Sequence, residues 1–474
     1  MKAGNWFARS LAATGLALMV GACNGAKQPT SAAAGGTDTI VLNHFTLIDG
    51  TGAQPVGDAA LIMKDGRISW VGRSADLKMP DGAAVEDLTG KFVMPGIIDN
   101  HVHLAEVDGL DQNTKYYTAD NIRNQLRLYA AYGVTTVQSL GTDQDLTIDI
   151  RNAERKGRPK MARIYAARLG VVYDHGYGGL PGLPQRVDTP DEARKLVDEQ
   201  KAKGADLIKL WMDDEFGTLP TLMPYSISTA AIDEAHKDGL KAVAHVFYLN
   251  NAKELVREGI DGFAHEIRDK PIDAALIDAM KKHGTWQMAA TLSREASFTY
   301  TKLPFLDDPF FSRGVTPAVL EELKSDARQK KLAAAPNFSK YQSVFDNAMA
   351  NFAREAKAGI RYGMGTDSGP SGRFPGYFAH WELALMVKDG LTPLQALTAA
   401  TGSNAEFLGA RDIGTIAPGK WADLLVLDAD PVADIRNTRA IDEVFIAGNK
   451  VPTIWQTCVG RPADACKSSE HQPT

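Results

Sequence analysis

The chain has 474 residues, of which 44% are hydrophobic and 23% are charged, and its formal net charge is −6. This composition is typical of a globular protein, and the length allows one large core and a smaller second one. The negative charge and the lack of any run of Lys or Arg argue against a nucleic-acid partner, because proteins that bind polyanions carry a basic surplus. The sequence gives no oligomeric state.

Residues 1–23 have the pattern of a bacterial export signal. Lys2 and Arg9 supply positive charge, and residues 11–20 form an apolar run that is too short to span a bilayer comfortably. The run ends in Val-Gly-Ala before Cys23, which resembles the lipobox of bacterial lipoproteins. We therefore expect an exported protein, either in the periplasm or held in the bacterial envelope only by a lipid on Cys23. An ordinary thiol at Cys23 is the alternative.

Two further segments lie outside the predicted folded part. Residues 24–38 are rich in small residues and predict a flexible linker, and residues 456–474 predict a tail. Cys458 and Cys466 lie in this tail. In an exported chain they form either a disulfide or two free thiols.

Both ends of the folded part show a β pattern. Residues 39–92 contain short apolar runs separated by Asp-Gly turns, and a similar pattern returns within residues 410–455. Such runs are typical of antiparallel strands. We predict that the two segments together form one small composite β-sandwich domain.

The middle of the chain, residues 93–409, repeats a different unit eight times: a short apolar run followed by a polar stretch of helical period. This repeat is typical of βα units around a parallel sheet. Eight units without a phosphate-binding glycine fingerprint favour an α/β fold with a (β/α)8 TIM barrel over a doubly wound sheet. The predicted strands are 93–103, 134–141, 163–171, 207–212, 241–247, 262–267, 285–292 and 360–367.

Local signals support this interpretation. Thr189, Pro190 and Glu192 have the spacing of a helix cap, a first-turn proline and a capping box, and Gly204 is placed to end that helix. Residues 293–340 are too many for a simple connection, so we predict that they form a lid or wall over the barrel mouth.

Six residues of metal-ligating type lie at or near the carboxyl ends of the predicted strands. Loops at that end of a barrel converge on the axis and carry the active site. A His-x-His pair on a strand projects both rings to one side, where they can bind the same ion. The six are His101 and His103 on the first strand, Lys209 on the fourth, His245 on the fifth, His265 on the sixth and Asp367 on the eighth.

The segment MPGIIDNHVH, residues 94–103, resembles the opening motif of the amidohydrolase superfamily. Residues 204–209, 259–265 and 365–367 resemble the lysine, sixth-strand and aspartate segments of its imidazolonepropionase-like and Xaa-Pro dipeptidase-like branch. Residues 414–424 resemble the return to the β-sandwich of that family. The resemblance covers roughly residues 39–450.

This resemblance implies a binuclear metal centre with two divalent ions, and zinc is the expected metal. It also implies that Lys209 is carboxylated by CO2, because an unmodified cationic lysine would repel the ions, and burial favours the neutral amine that this reaction needs. An ion-paired Lys209 beside a single metal is the alternative. The implied ligands are His101, His103 and Asp367 for the first ion, His245 and His265 for the second, and Lys209 as the bridge.

The implied activity is hydrolysis of a C–N amide bond by a metal-bridging hydroxide, in a small molecule or short peptide such as an Xaa-Pro dipeptide or an N-acyl amino acid. Asp367 would pass the proton to the leaving nitrogen. Hydrolysis of a cyclic amide or a lactone is the alternative reaction. A metal- or solute-binding lipoprotein without catalysis is the alternative of another class.

Substrate contacts are predicted at three residues beyond the ligand strands. His175 lies in a Gly-rich loop after the third strand, and Tyr248 and Arg268 follow the fifth and sixth strands, where each could meet a substrate carboxylate. A surface or structural role is the alternative for all three. We interpret the acidic run 213–215 as a solvated loop.

Overall fold

The structure is a computed structural model that describes residues 39–174, 176–178, 185–214 and 222–453. The predicted export signal, linker and tail lie outside the described residues, and so do Cys23, His175, Cys458 and Cys466. In the described part of the chain, no helix is both long enough and apolar enough to cross a membrane.

The strands are β1 (Thr39–Leu47), β2 (Val56–Lys64), β3 (Arg67–Arg73), β4 (Ala84–Asp87), β5 (Phe92–Pro95), β6 (Ile97–Val102), β7 (Val107–Asp108), β8 (Asp111–Gln112), β9 (Val134–Ser139), β10 (Arg163–Ala166), β11 (Val171–Tyr173), β12 (Gln185–Val187), β13 (Ile208–Trp211), β14 (Ala242–His245), β15 (Gly262–Phe263), β16 (Trp286–Gln287), β17 (Leu424–Leu427), β18 (Ile441–Ile446) and β19 (Asn449–Val451). The helices are α1 (Ala119–Ala131), α2 (Asp145–Glu154), α3 (Pro190–Ala202), α4 (Tyr225–Lys237), α5 (Leu249–Glu258), α6 (Ala274–His283), α7 (Leu292–Phe298), α8 (Pro309–Ser312), α9 (Pro317–Lys324), α10 (Asp326–Ala333), α11 (Tyr341–Ala358), α12 (Tyr377–Lys388), α13 (Pro393–Thr398) and α14 (Asn404–Leu408).

Strands from both ends of the described chain share one mixed sheet. Its order is β19-β18-β17-β5-β1-β2-β3, and β4 pairs with β1. Apolar side chains from the two ends, such as Phe45 and Phe445, pack in one core on this sheet. The segments predicted to form a sandwich therefore build one eight-stranded β-rich unit.

The middle of the chain is a mixed α/β structure with two parallel sheets. Their orders are β10-β9-β6 and β12-β11-β13-β14-β15-β16. The predicted eighth strand, 360–367, forms no ladder of its own. Tyr362 makes a single parallel bridge to Gln287 at the edge of one sheet, and Ser368, directly after the predicted strand, makes one to Val102 at the edge of the other.

Two predicted strands are each divided between sheets. The segment 93–103 contains β5, which pairs antiparallel with β17, and β6, which pairs parallel with β9. Gly96 lies between these two strands. A Cβ at this position would collide with the side chain of Thr135, so the close approach of the chain to Thr135 requires a glycine. The segment 163–171 is divided in the same way between β10 and β11. Apolar patterning did not show these breaks, since both halves of each segment are buried.

The capping prediction for α3 is confirmed. The Thr189 side chain accepts from the backbone of Glu192, whose carboxylate accepts in turn from the Thr189 backbone. Gly204 follows the helix with a left-handed φ of 88°. The predicted lid or wall, 293–340, contains most of α7 and all of α8, α9 and α10, and α7 brings Arg294 and Glu295 to the centre described below.

Candidate metal centre

Three of the predicted ligands meet at the junction of β6 and the segment after residue 360. The Nε2 atom of His103 lies 3.0 Å from Oδ1 of Asp367, and the Nε2 atom of His101 lies 3.5 Å from the same oxygen. All three side chains are buried, and their donor atoms lie within 4.8 Å of one another. Imidazole nitrogen and carboxylate oxygen are suitable ligands for one divalent ion such as zinc.

The other predicted ligands adjoin this group. The rings of His245 and His265 have centroids 4.3 Å apart, and the ring of His265 lies 4.7 Å from that of His101. Lys209 is buried beside them, and its Nζ has no hydrogen-bond partner among the described residues. The Nε2 atoms of His101 and His245 make no hydrogen bond of good geometry there, although each has a carboxylate oxygen at 3.5 Å and 3.4 Å, respectively. Buried polar atoms normally have partners, so this group of donors fits a bound ion.

A network of polar side chains holds the first group of predicted ligands, His101, His103 and Asp367. Asp99 accepts hydrogen bonds from the backbone of His101 and from both the backbone and the hydroxyl of Thr366. Gly369, with a φ of 119°, passes so close to β6 that a Cβ would collide with the carbonyl oxygen of His103. Asp367 itself has a left-handed φ of 54°, which is unusual for a residue with a side chain. The backbone therefore fixes Asp367 against β6.

Three of the histidines have a partner on Nδ1. His101 Nδ1 lies 2.7 Å from the carbonyl oxygen of Ala264, which can only accept, so Nδ1 carries the proton and Nε2 keeps its lone pair. The hydroxyls of Thr142 and Thr291 lie 3.1 Å and 2.9 Å from Nδ1 of His103 and His265. Such partners orient the rings of metal-binding histidines.

Burial sets the protonation of these side chains. It lowers the pKa of His101 and His265 well below the usual range and also lowers the pKa of His245. A neutral imidazole is the form that binds metal. Burial likewise lowers the pKa of Lys209 to about 7, against the opposing charge of Asp367. Burial therefore favours the neutral amine of Lys209, which is the form that reacts with CO2.

Two arginines that the sequence analysis did not identify contact Asp367. The Nε of Arg294 lies 2.7 Å from Oδ2 of Asp367, and Nη1 of Arg373 forms an ion pair with the same oxygen. Burial alone would raise the pKa of Asp367, but the charge of Arg373 holds it well below its usual range. Arg373 lies in a loop rich in Gly, Pro and Ser directly after the predicted ligand Asp367. This position in the sequence could have indicated that Arg373 lies near the centre.

The interpretation of the acidic run as a solvated loop is wrong for Asp213. This residue is buried, and its Oδ2 lies 3.4 Å from Nε2 of His245. The adjacent Asp214 accepts a hydrogen bond of 2.7 Å from the hydroxyl of Tyr248. The run begins two residues after β13, so the strand end carries it into the centre.

The other predicted substrate contact in the described chain is an internal residue. The side chain of Arg268 is 2% exposed, donates to the carbonyl oxygens of Val246 and Glu266, and forms an ion pair of 3.1 Å with Glu295. These partners engage Nη1 and Nε of its guanidinium group. Arg268 thus supports the wall around His245 and His265, whose pKa values its charge helps to lower.

A cavity of about 240 Å³ opens onto the centre. This volume is below the 300 to 1,000 Å³ typical of sites for drug-sized ligands, so the cavity suits a small substrate. The residues that line it are His101, His103, Glu106, Gln112, Thr142, Tyr177, Trp211, His245, His265, Asp367, Pro370 and Arg373.

Comparison with known proteins identifies this arrangement. Residues 92–451 match the amidohydrolase family, so the chain belongs to that family. It is therefore a metal-dependent hydrolase that acts on carbon–nitrogen bonds, as the sequence predicted.

The chain is similar to the imidazolonepropionase of Deinococcus deserti, with 25% identity over 83% of this chain and 92% of that protein. Among solved structures, it is similar to a Xaa-Pro dipeptidase with bound methionine in the active site, at a TM-score of 0.69 and 21% identity over 87% of this chain and 100% of the other. It is also similar to phenylurea hydrolase B, at a TM-score of 0.70 and 23% identity over 90% and 100% of the two chains. These likenesses in structure support the fold of the family, a TIM barrel with a β-rich domain.

Proposed function

We propose that this protein hydrolyses the amide bond of a small, peptide-like substrate at a binuclear metal centre. The observation that carries the proposal is the gathering of four buried histidines and one buried aspartate in the wall of one small cavity, with the buried Lys209 close enough to affect the charge of His101 and His245. A merely structural cluster would have no need for an adjoining cavity.

The donors divide into two sets. His101, His103 and Asp367 would hold one ion, and His245 and His265 would hold the other. Lys209, with a neutral amine available for carboxylation by CO2, would supply an anionic ligand to both. Zinc suits this set of nitrogen and oxygen donors. When bound, such ions lower the pKa of water and polarise a carbonyl group.

Asp367 is the proposed catalytic residue. Hydrolysis forms a C–O bond from water and breaks the C–N bond, and a proton must pass from the water to the leaving nitrogen. The charge of Arg373 keeps the pKa of Asp367 low, so Asp367 is an ionised carboxylate at neutral pH, which is the form that a proton acceptor must have. Its rigid placement between β6 and the turn at Gly369 fixes the position at which the transfer occurs.

We propose further that the two parallel sheets close into one (β/α)8 barrel. The single bridges from Tyr362 to Gln287 and from Ser368 to Val102 support this closure on one side. On the other side, the backbone amide of Asp206 donates to the carbonyl oxygen of Ala166. The six ligands would then lie at one mouth of the barrel.

The first test is metal content and activity of the purified protein. We expect about two zinc ions per chain, hydrolysis of Xaa-Pro dipeptides or N-acyl amino acids, and loss of activity after chelation with recovery on adding zinc. Intact-peptide mass spectrometry at neutral pH should show CO2 on Lys209. One ion per chain would contradict the bridging role of Lys209, and no metal would contradict the whole proposal.

A panel that includes cyclic amides and lactones decides between the two reactions. Turnover of cyclic substrates alone would overturn the peptide-like assignment and support the alternative. Stoichiometric metal with no turnover of any acyl substrate would instead support a metal- or solute-binding protein.

Export is part of the proposal and rests on the pattern of residues 1–23. We expect the protein in the membrane fraction of its bacterial host, and Cys23→Ala should move it to the soluble periplasmic fraction. Wild-type protein that is soluble in the periplasm would support export without a lipid, whereas protein in the cytoplasm would contradict export.

A further inference from the structure

Thr291, the residue before α7, does not cap the helix that it precedes. Threonine is a favoured N-cap residue, because its hydroxyl can accept a hydrogen bond from an amide of the first turn. The side chain of Thr291 makes no such bond, and its backbone has a left-handed φ of 55°, which is rare for a β-branched residue. Its hydroxyl lies 2.9 Å from Nδ1 of His265 instead. The hydroxyl therefore serves the candidate metal centre and not the helix.

Glu382 of α12 caps α7 in place of Thr291. Its Oε1 accepts a hydrogen bond of 2.9 Å from the amide of Leu292, and its Oε2 accepts one of 2.6 Å from the amide of Ser293. Leu292, Ser293 and Glu382 are all fully buried, so bulk water cannot satisfy these two amides. Hydrogen bonds from amides to a carboxylate are stronger than those between neutral groups. The carboxylate thus takes the position of a capping hydroxyl.

The first turn of α7 also contacts the rest of the centre. The Nε of Arg294 lies 2.7 Å from Oδ2 of Asp367, and Glu295 forms an ion pair of 3.1 Å with Arg268. These two residues directly follow the two amides that Glu382 binds. The position of this turn therefore affects both groups of predicted ligands.

We propose that Glu382 is a positioning residue of the metal centre, which caps α7 so that the hydroxyl of Thr291 remains on Nδ1 of His265. This inference rests on the proposed function, in which His265 binds an ion. When Nδ1–H donates to that hydroxyl, Nε2 keeps the lone pair that a metal ion needs. Without the carboxylate, the amides of Leu292 and Ser293 lose their acceptors in the core. A turn of Thr291 into the extended conformation of an ordinary N-cap would satisfy one of them and leave His265 without its partner.

Zinc affinity tests this inference in a double-mutant cycle. Glu382→Gln keeps the size of the side chain but has one acceptor oxygen for two amides, so we expect the affinity to fall about 10- to 100-fold in competition with a chromophoric chelator. Thr291→Val should give a loss of the same order. Both changes remove the same hydrogen bond to His265, so the double variant should lose no more than the larger single loss. A double loss equal to the product of the single losses would overturn the inference, and so would wild-type affinity in Glu382→Gln.

Glu154→Gln is the matched control. Glu154 is also a buried residue of a helix, but it lies at the end of α2 and is not part of the cavity wall. Its replacement should leave the zinc affinity unchanged, alone or combined with Thr291→Val. The melting temperature of each metal-free variant verifies the fold. A loss of affinity as large as that in Glu382→Gln would reject a specific role of Glu382.

Hydrogen exchange of the metal-free protein tests the capping assignment without any metal. The peptide that contains Leu292 and Ser293, followed by mass spectrometry, should exchange faster in Glu382→Gln than in wild type. In Thr291→Val it should exchange as in wild type, because this threonine does not cap the helix. Faster exchange in Thr291→Val would overturn the inference, and this variant decides the matter even if Glu382→Gln does not fold.

Histidine 15N spectra of the same metal-free protein test the second step. We expect the ring proton of His265 on Nδ1 in wild type and divided between both nitrogens in Glu382→Gln, with His265→Gln to assign the signal. An unchanged signal in Glu382→Gln would overturn the inference. If zinc binding and amide hydrolysis both fail, the proposed function is rejected, and the exchange and the histidine spectra still decide whether Glu382 positions the hydroxyl of Thr291.

Discussion

The protein has two buried groups of ionisable side chains: the candidate metal centre and a pair of carboxyl groups. The groups differ in composition, and adjacent residues of the chain belong to each of them. His265 faces the candidate metal centre, where possible metal ligands lie beside the positively charged side chains of arginines. Glu266, the next residue, lies beside Glu355 of α11, and both carboxyls are fully buried. Successive residues in an extended segment point to opposite sides, so one step along the chain separates the two environments.

Burial acts on both groups, but with different results. In the metal centre it lowers the pKa of the histidines and of Lys209, which favours the forms that bind metal or react with CO2. At the carboxyl pair it raises the pKa of Glu355 to about 8 and that of Glu266 well above its usual range. Buried charge alone therefore does not mark a metal centre. A metal centre is indicated instead by histidines and lysine combined with a carboxylate beside a cavity.

The most damaging change to the first group should be Asp367→Asn. Asparagine keeps the size of the side chain but cannot accept the proton, so kcat/KM should fall by at least about 10³-fold. Steady-state kinetics measure the loss, and circular dichroism verifies the fold. Activity within tenfold of wild type would remove Asp367 from catalysis.

Replacing the lysine tests whether the second ion depends on it. Lys209→Met keeps a long apolar side chain but removes the amine, so we expect one ion per chain instead of two by elemental analysis. Lys241→Met is the control, because Lys241 is also partly buried but lies at the amino end of β14 and donates to the carbonyl of Phe407. Two ions in both variants would show that Lys209 is not a ligand.

A smaller effect is expected from the hydroxyl that contacts His265. Thr291→Val removes the partner of Nδ1 without changing the shape of the side chain, and metal affinity should fall about 10- to 100-fold. Competition with a chromophoric chelator measures the affinity. Thr285→Val also loses a buried hydroxyl, which donates to the carbonyl of Ile260 away from the centre, and should retain the affinity. Equal losses in the two variants would mean that the hydroxyl of Thr291 has no specific role.

The carboxyl pair should affect only stability. Because the pKa of Glu355 is raised in the folded state, its contribution is full below about pH 4.5 and is lost as the pH rises towards 8. Glu355→Gln cannot ionise, so its free energy of unfolding should decline less over that range and exceed that of wild type by up to about 4 kcal/mol at pH 8. Denaturant unfolding measures this difference. Glu406→Gln, on the exposed surface, should follow the wild-type curve, and a wild-type stability that rises from pH 5 to pH 8 would contradict the assignment.

The predictable part of the centre came from strand ends. Lys209 lies within the buried strand β13. His101, His103, His245 and Asp367 each end or follow a buried apolar run, and parallel strands bring such positions to one edge. Their convergence could therefore be inferred, and the structure shows it. Their roles as ligands stay predictions.

The parts that the sequence did not reveal depend on contacts between distant segments. Arg373 lies on an irregular segment, where no period indicates the direction of a side chain, and Arg294 lies on the short helix α7 within the segment predicted only as a lid or wall. Asp213 belongs to an acidic run, and such runs are usually solvated, so only the packing around β13 shows that it is buried. The break at Gly96 depends on the position of Thr135, which belongs to another strand.

The close contact between Gly369 and His103 has a consequence for how the protein is made. His101 and Asp367, which are proposed to bind the first ion, are 266 positions apart (367 − 101). A ribosome that adds about 5 to 20 residues per second needs on the order of tens of seconds to pass from one to the other. During that interval the nascent chain has two histidines and no carboxylate to complete the site. The proposed first metal position is therefore complete only after the segment with Asp367 has docked against β6.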